Sequence, residues 1–215
     1  IRDRSPSRGL GDVYKRQELE LTGVDTSGIL VSNRAHMLLP HHRVLDGIEE
    51  ESRGSYSIGT TKQGIGPAYR DKTGRTGVRM GDLKHIDYLK SRLELQLQQV
   101  NQVLSNFGEP LVEIDSLFEQ CVDWSAKLSD RIAEPIPLIK DAVESNQRIL
   151  LEGQLGSMKD LDWGTYPYVT SSNPTAAFAS VGSGVPYQHI NDVVLSLIHI
   201  SEHTRRPPIS YDVFS

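Results

Sequence analysis

Residues 148–173, RILLEGQLGSMKDLDWGTYPYVTSSN, pass from an apolar run into a polar loop, and this change decides the predicted fold. Residues 148–152 have the length and apolar content of a buried strand that ends at Gly153. A polar loop at the end of a strand is the usual place for a ligand in an α/β sheet. We therefore predict a ligand loop after this strand.

The end of the same stretch is rich in hydroxyl groups. We predict that Asn173 caps a helix whose first residue is Pro174. The hydroxyls of Thr170, Ser171 and Ser172 would then lie at a helix N-terminus, which attracts negative charge. The alternative is that these residues serve only as caps.

The elements outside this stretch favour an α/β domain. Residues 28–32 (GILVS) predict a second short buried strand, and a helix is predicted at 41–53 after Pro40. Apolar residues recur at helical spacing over 82–107, up to Gly108, which predicts a long amphipathic helix. A short helix is predicted near 138–145. Because helices separate the strand candidates, we predict a partial, twisted, largely parallel sheet flanked by helices.

A further helix is predicted from a capping box formed by Ser116 and Glu119. Its apolar stripe is expected to face the core and to stop near Pro135; it comprises Leu117, Cys121, Trp124, Leu128 and Ile132. Cys121 is therefore predicted to be a core residue.

The two ends of the 215-residue chain differ in composition from its middle. The net charge of the chain is −5. Residues 1–17 carry +3, so the remaining residues carry −8. We expect 1–17 and 196–215 to be disordered tails that resemble translated adapter sequence; native tails are the alternative. Residues 18–195 are expected to form one domain, incomplete at both ends.

Composition excludes several classes of protein. The chain contains one cysteine, so it has no internal disulfide and suits a reducing compartment, and we expect a cytoplasmic protein. No apolar run is long enough to cross a bilayer. The negative net charge disfavours nucleic-acid and acidic-membrane partners.

Residues 59–72, GTTKQGIGPAYRDK, form another polar loop and offer another candidate site. Three glycines and two threonines supply backbone N–H groups and hydroxyls that can surround an anion. The loop is not a Walker A motif, because Ile65 and Gly66 follow Gly64 where that motif needs Lys and Ser or Thr. An ordinary Gly-Pro surface turn is the alternative.

Other polar groups are weaker candidates. The spacing of His36, His41 and His42 does not favour a metal site. Asp160 and Asp162 are expected to be a solvated pair, and the acidic run at 49–51 an exposed helix face.

Two long motifs together closely resemble adenylosuccinate synthetases. These are GTTKQGIGPAYRDKTGRTGVRMGDL at residues 59–83 and LLEGQLGSMKDLDWGTYPYVTSSN at 150–173, in family order. The resemblance covers about residues 18–195 and implies a P-loop NTPase-like α/β fold. It implies a homodimeric, Mg²⁺-dependent enzyme in which GTP phosphorylates the 6-oxygen of IMP and L-aspartate then displaces phosphate to form adenylosuccinate.

The resemblance also implies which residues bind IMP. Thr61 and Thr170 match IMP contacts, and Arg75 matches an arginine that reaches the IMP phosphate of the partner subunit. The family's Glu-Gly-Ala-Gln-Gly is Glu-Gly-Gln-Leu-Gly here, so Leu155 stands where the family has its IMP-binding glutamine. Either the neighbouring Gln154 or the backbone takes over that contact.

Several family segments are not found in this chain. The family's phosphate loop, catalytic Asp and catalytic His belong before it, and the aspartate and guanine segments belong after Leu195. We therefore expect no catalytic residue or metal ligand in the chain and no turnover by the chain alone. The alternative to a synthetase fragment is a non-catalytic α/β interaction module.

Overall fold

The structure is a computed structural model that describes residues 19–194. The predicted tails at 1–17 and 196–215 lie outside the described residues. The described residues include the strands β1 (Val31–Ser32) and β2 (Ile132–Ala133) and several α-helices joined by short 3₁₀ turns. These helices are α1 (Pro40–Ser52), α2 (Ile65–Gly74), α3 (Ile86–Asn106), α4 (Ile114–Leu128), α5 (Pro135–Glu144) and α6 (Ala179–Ser183).

The predicted α/β class is confirmed, with a small sheet. β1 and β2 pair in parallel, with Val31 opposite Ile132 and Ser32 opposite Ala133. The predicted strand at 28–32 keeps only its last two residues, and both are half-buried rather than buried. Leu30 before them is 50% exposed.

The strand predicted at 148–152 is wrong. These residues have no regular secondary structure, and Leu150 is 90% exposed. An apolar run becomes a strand only where a neighbouring strand takes its backbone hydrogen bonds. No part of 19–194 pairs with these residues.

The long amphipathic helix is confirmed and forms the centre of the core. A 3₁₀ turn at Met80–Lys84 precedes α3, and the break between them falls at His85. The buried stripe of α3 comprises Leu89, Leu93, Leu97, Val100 and Leu104. Phe107 is 55% exposed, because α3 ends at Asn106 and Gly108 turns the chain away.

Helix α4 packs on α3 but begins earlier than predicted. It starts at Ile114 after Glu113, so Ser116 lies inside the helix and the predicted capping box is wrong. The core position of Cys121 is confirmed, and burial raises the pKa of its thiol to about 12. The predicted stripe ran on to Ile132, which instead lies buried in β2.

The remaining predicted helices are confirmed with small shifts. α1 begins at Pro40 and packs on α2. α5 starts at Pro135 because the Glu134 side chain accepts a hydrogen bond from the Ile136 N–H at 3.4 Å. None of the helices within 19–194 combines the length and the apolar character that a membrane crossing needs.

Candidate functional site

Two carboxylates of α1 hold the first loop, residues 58–64. Glu50 accepts hydrogen bonds from the N–H groups of Gly59 at 2.6 Å, Thr60 at 3.2 Å and Ile58 at 3.3 Å. Burial acts to raise the pKa of Glu50, but these donors and Arg53 outweigh it and lower the pKa. The predicted exposed face at 49–51 is therefore wrong for Glu50, which is buried beneath the loop, whereas Glu51 is exposed.

The other end of this loop presses directly against α1. Gly64 has a φ of +84°, and a Cβ placed on it would lie 2.7 Å from the His42 carbonyl carbon. This contact requires glycine on both counts. Its N–H donates to Asp46 Oδ2 at 2.8 Å, and α2 begins at the next residue.

A buried polar network lies where α1, α2 and α3 meet. His42 Nδ1 accepts the Leu39 N–H at 2.9 Å, which leaves the Nε2–H of His42 to donate to Asp71 Oδ2 at 3.0 Å. Gln96 Nε2 donates to the same oxygen at 2.6 Å. Burial acts to raise the pKa of Asp71, but its hydrogen bonds with His42 and Gln96 lower it.

The same region contains a group with metal-binding side chains. Nitrogen or oxygen atoms of His41, His42 and Asp71 lie within 4.8 Å of one another. The hydrogen bond from Leu39 commits His42 to the tautomer with a proton on Nε2, so that nitrogen has no lone pair for a metal. His36 lies elsewhere, beside Gly77. The three histidines named in the sequence analysis therefore do not converge on one point.

Arg75 lies at the far end of α2 from the first loop. It ends the helix with a φ of +63°, and its side chain is exposed. Arg92 fixes this turn, because its Nη2 donates to the carbonyl oxygens of Arg75 at 2.9 Å and Gly77 at 3.0 Å. The rise along α2 separates the backbones of Gly66 and Arg75 by about 13 Å.

Asp160 organises the second loop, residues 153–175. Its carboxylate accepts hydrogen bonds from the backbone N–H groups of Asp162 and Trp163, from Asn173 Nδ2, and from the N–H and hydroxyl of Thr175. Burial acts to raise the pKa of Asp160, but these donors lower it to about 2. The solvated-pair prediction is wrong for Asp160, which has no exposed surface.

Asn173 does not cap a helix at Pro174. Its amide donates to Asp160 at 3.0 Å and to Asp162 at 2.6 Å. A 3₁₀ turn begins only at Ala176. Pro174 and Thr175 are not helical, so the predicted helix N-terminus behind Thr170 is absent.

The two loops meet at the start of α2. A Cβ placed on Gly66 would lie 3.4 Å from Ser171 Oγ, so the second loop passes close to the start of α2 there. Thr170 is the preceding residue, is half-buried, and donates its N–H to the Lys159 carbonyl at 2.8 Å. Thr61 is exposed, five residues before Gly66. The structure thus brings the second loop to the helix that follows the first.

Gln154 and Leu155 lie at the open side of the second loop. Both are exposed, and Leu155 has a φ of +68°. The Gln154 carbonyl accepts the Gly156 N–H at 2.9 Å, which forms a tight turn. A Cβ placed on Gly153 would lie 3.7 Å from the Pro174 carbonyl oxygen, so this turn returns to the other end of the loop.

A cavity of about 540 Å³ lies apart from the predicted site residues, at the carboxyl edge of the sheet. Arg34 and Glu134 form an ion pair there at 3.0 Å. The cavity is lined by Asn33, Arg34, Arg79, Gly81, Asp82, Lys84, His85, Ile132, Ala133 and Glu134. It includes neither loop described above.

The sequence profile of the adenylosuccinate synthetase family matches residues 14–198. The chain belongs to the adenylosuccinate synthetase family. The adenylosuccinate synthetase 1 of Methanosarcina acetivorans is 47% identical over 178 residues, and the adenylosuccinate synthetase of Dehalococcoides mccartyi strain BAV1 is 43% identical over 174 residues. These matches cover 83% and 80% of this chain.

The chain spans less than half the length of these adenylosuccinate synthetases, 42% and 41% respectively. A solved structure titled fully ligated adenylosuccinate synthetase from Plasmodium falciparum superposes with a TM-score of 0.74 at 33% identity. That superposition covers 83% of this chain and 42% of the other. Family membership favours a synthetase segment over an interaction module.

Two residues that organise the site, Glu50 and Asp160, were not predicted as site residues. Glu50 lies outside both motifs, Asp160 lies within the second one, and the neighbours of each suggested exposed carboxylates. The signal that the sequence did contain was the i,i+4 pair of Asp46 and Glu50 on one face of a predicted helix.

Proposed function

We propose that this chain is the IMP-binding part of an adenylosuccinate synthetase, acting in the formation of AMP. The observation that carries the proposal is the close approach of Ser171 to Gly66, which brings the two motifs together in a chain of this family. Neither loop alone is specific for a nucleotide. Together they supply backbone N–H groups and hydroxyls from two sides of one helix start.

In the proposed reaction the 6-oxygen of IMP takes the γ-phosphoryl group of GTP, and GDP leaves. The amino group of L-aspartate then attacks carbon 6, and phosphate leaves with the oxygen. A lactam oxygen is a poor leaving group and a phosphoryl ester is a good one, so the first transfer makes the second possible. The described residues of this chain would bind and orient IMP for both steps.

Each proposed contact suits its residue type. Hydroxyls of Thr61 and Thr170 donate to phosphate oxygens, and the guanidinium of Arg75 binds them in a bidentate manner. Arg75 lies about 13 Å along α2 from the loop junction. That separation supports the proposal that Arg75 serves the site of a second subunit in a homodimer. Gln154, or the backbone at Leu155, would contact the base side of IMP.

Mg²⁺ is the cofactor expected for this reaction. The His41, His42 and Asp71 group offers mainly nitrogen atoms, whereas Mg²⁺ requires oxygen ligands in an octahedral arrangement. These residues do not fit the ion. GTP and L-aspartate are the other proposed substrates, and the cytoplasm is the proposed location.

Calorimetric titration of IMP into the chain tests the proposal, with inosine as the comparison that lacks phosphate. We expect IMP to bind, and Arg75→Ala to weaken binding by about 2 kcal/mol or more, the scale of a charge-assisted contact. Arg70→Ala is the matched control, because Arg70 is an exposed arginine on the same helix that pairs with Glu49. Equal binding of inosine and IMP, or equal effects of the two substitutions, would contradict the proposal.

A further inference from the structure

Helix α1 presents two buried carboxylates one turn apart. Asp46 and Glu50 are 5% and 8% exposed, and their i,i+4 spacing places them on the same face of the helix. A buried carboxylate is stable only where donors surround it. The donors identify what each carboxylate holds.

The two carboxylates hold the two ends of one loop. Glu50 accepts the consecutive N–H groups of Ile58, Gly59 and Thr60. Asp46 accepts the N–H of Gly64. Both ends of the segment 58–64 are thus fixed to a single rigid helix.

The middle of the loop is left with free donors. Within residues 19–194, the backbone N–H groups of Thr61, Lys62 and Gln63 donate to no acceptor. Side chains shape this segment: Lys62 Nζ pairs with Glu51 at 2.9 Å, and Gln63 Nε2 donates to the Thr61 carbonyl at 3.2 Å. Thr61 and Lys62 are exposed and Gln63 is half-buried, so this segment lies at the surface of the described structure.

We propose that Asp46 and Glu50 are positioning residues that hold the loop 58–64 at both ends and thereby present the Thr61–Gln63 amides to the IMP phosphate. This inference rests on the proposed function. By taking the amides on either side, the two carboxylates leave only the central ones for the ligand. Neither carboxylate touches IMP; each acts through the loop backbone.

Amide hydrogen exchange and IMP calorimetry on the full chain test the inference. We expect Glu50→Gln to raise the exchange rates of the 58–60 amides and to weaken IMP binding, each by about tenfold, because it removes a charged acceptor shared by three donors. Asp46→Asn should do the same for the Gly64 amide. Glu51→Gln is the control: it removes the same charge one residue along but contacts the loop only through Lys62, and its effect should stay within about twofold.

The outcomes separate the possible roles. Faster exchange with unchanged IMP affinity would overturn the positioning role, because a purely structural contact lowers the melting temperature without changing the affinity of folded molecules. Unchanged exchange in Glu50→Gln would show that Glu50 does not hold the loop 58–64. If the unmodified chain bound no IMP, the proposed function would fail. The exchange data would still show whether Asp46 and Glu50 hold the two ends of the loop.

The unmodified chain provides a second test that needs no variant. Its 58–60 and 64 amides should exchange slowly and its 61–63 amides quickly, and saturating IMP should slow the 61–63 amides alone. Uniform exchange across the loop, or IMP protection that spares 61–63, would overturn the inference.

Discussion

Replacement of Gly64 by alanine should destabilise the protein much more than the same change at Gly59. Both glycines have left-handed backbones, with φ of +84° and +76°, so both variants incur the cost of about 1–2 kcal/mol for an L-residue in that region. At Gly59 the new Cβ meets no atom within 4 Å. At Gly64 it would lie 2.7 Å from the His42 carbonyl carbon and 2.8 Å from the Arg43 nitrogen.

The difference between the two variants isolates this close contact. Backbone atoms of α1 cannot rotate away as a side chain can, so the clash adds an overpacking cost of about 1–3 kcal/mol. Urea denaturation followed by circular dichroism measures both free energies of unfolding on the same protein. We expect Gly64→Ala to lose about 2–5 kcal/mol and Gly59→Ala about 1–2 kcal/mol. Equal losses would show that the loop does not press on α1, and would refute the reasoning.

Three further predictions follow from other contacts. If Arg75 serves the partner's site, mixed Arg75→Ala and Thr61→Ala protomers should recover about a quarter of full IMP-binding sites, whereas action within one subunit would recover none. Burial, and then the neighbouring His42, lower the pKa of His41 to about 3. Because the unfolded state takes up a proton that folded His41 does not, this residue should lower the stability by about 2 kcal/mol from pH 7 to pH 5. In denaturation curves, His41→Leu should remove that contribution and leave the smaller one from His36, whose pKa is also lowered by burial. Leu93→Ala in the core should cost about 2–5 kcal/mol in urea, whereas Leu95→Ala, at a side chain 46% exposed, should cost under about 1 kcal/mol.

The helices of this protein could be predicted because their signals are local. The apolar stripe of α3 and the proline at the start of α1 lie within each helix and depend on no distant residue. The apolar run at 148–152 could not show that these residues form no strand, because a strand also needs a neighbour that the run does not specify. Ile132 was misplaced for the same reason: its partner in β1 lies 101 residues earlier.

The two candidate loops could be located from the sequence, but their supports could not. Glycines and hydroxyls mark the loops around Thr61 and Thr170. The carboxylates of Glu50 and Asp160 are recognised only from the backbone N–H groups that surround them, and those contacts form when the chain folds. Residue type alone therefore suggested solvated acids at both positions.

A crystal structure of the chain with IMP tests the central claim most directly. The account predicts that the phosphate group lies within hydrogen-bonding distance of Thr61 in the first loop and Thr170 in the second, with Arg75 approaching from a neighbouring copy. IMP bound in the cavity at the sheet edge, or Thr61 and Thr170 facing opposite surfaces of the molecule, would contradict it.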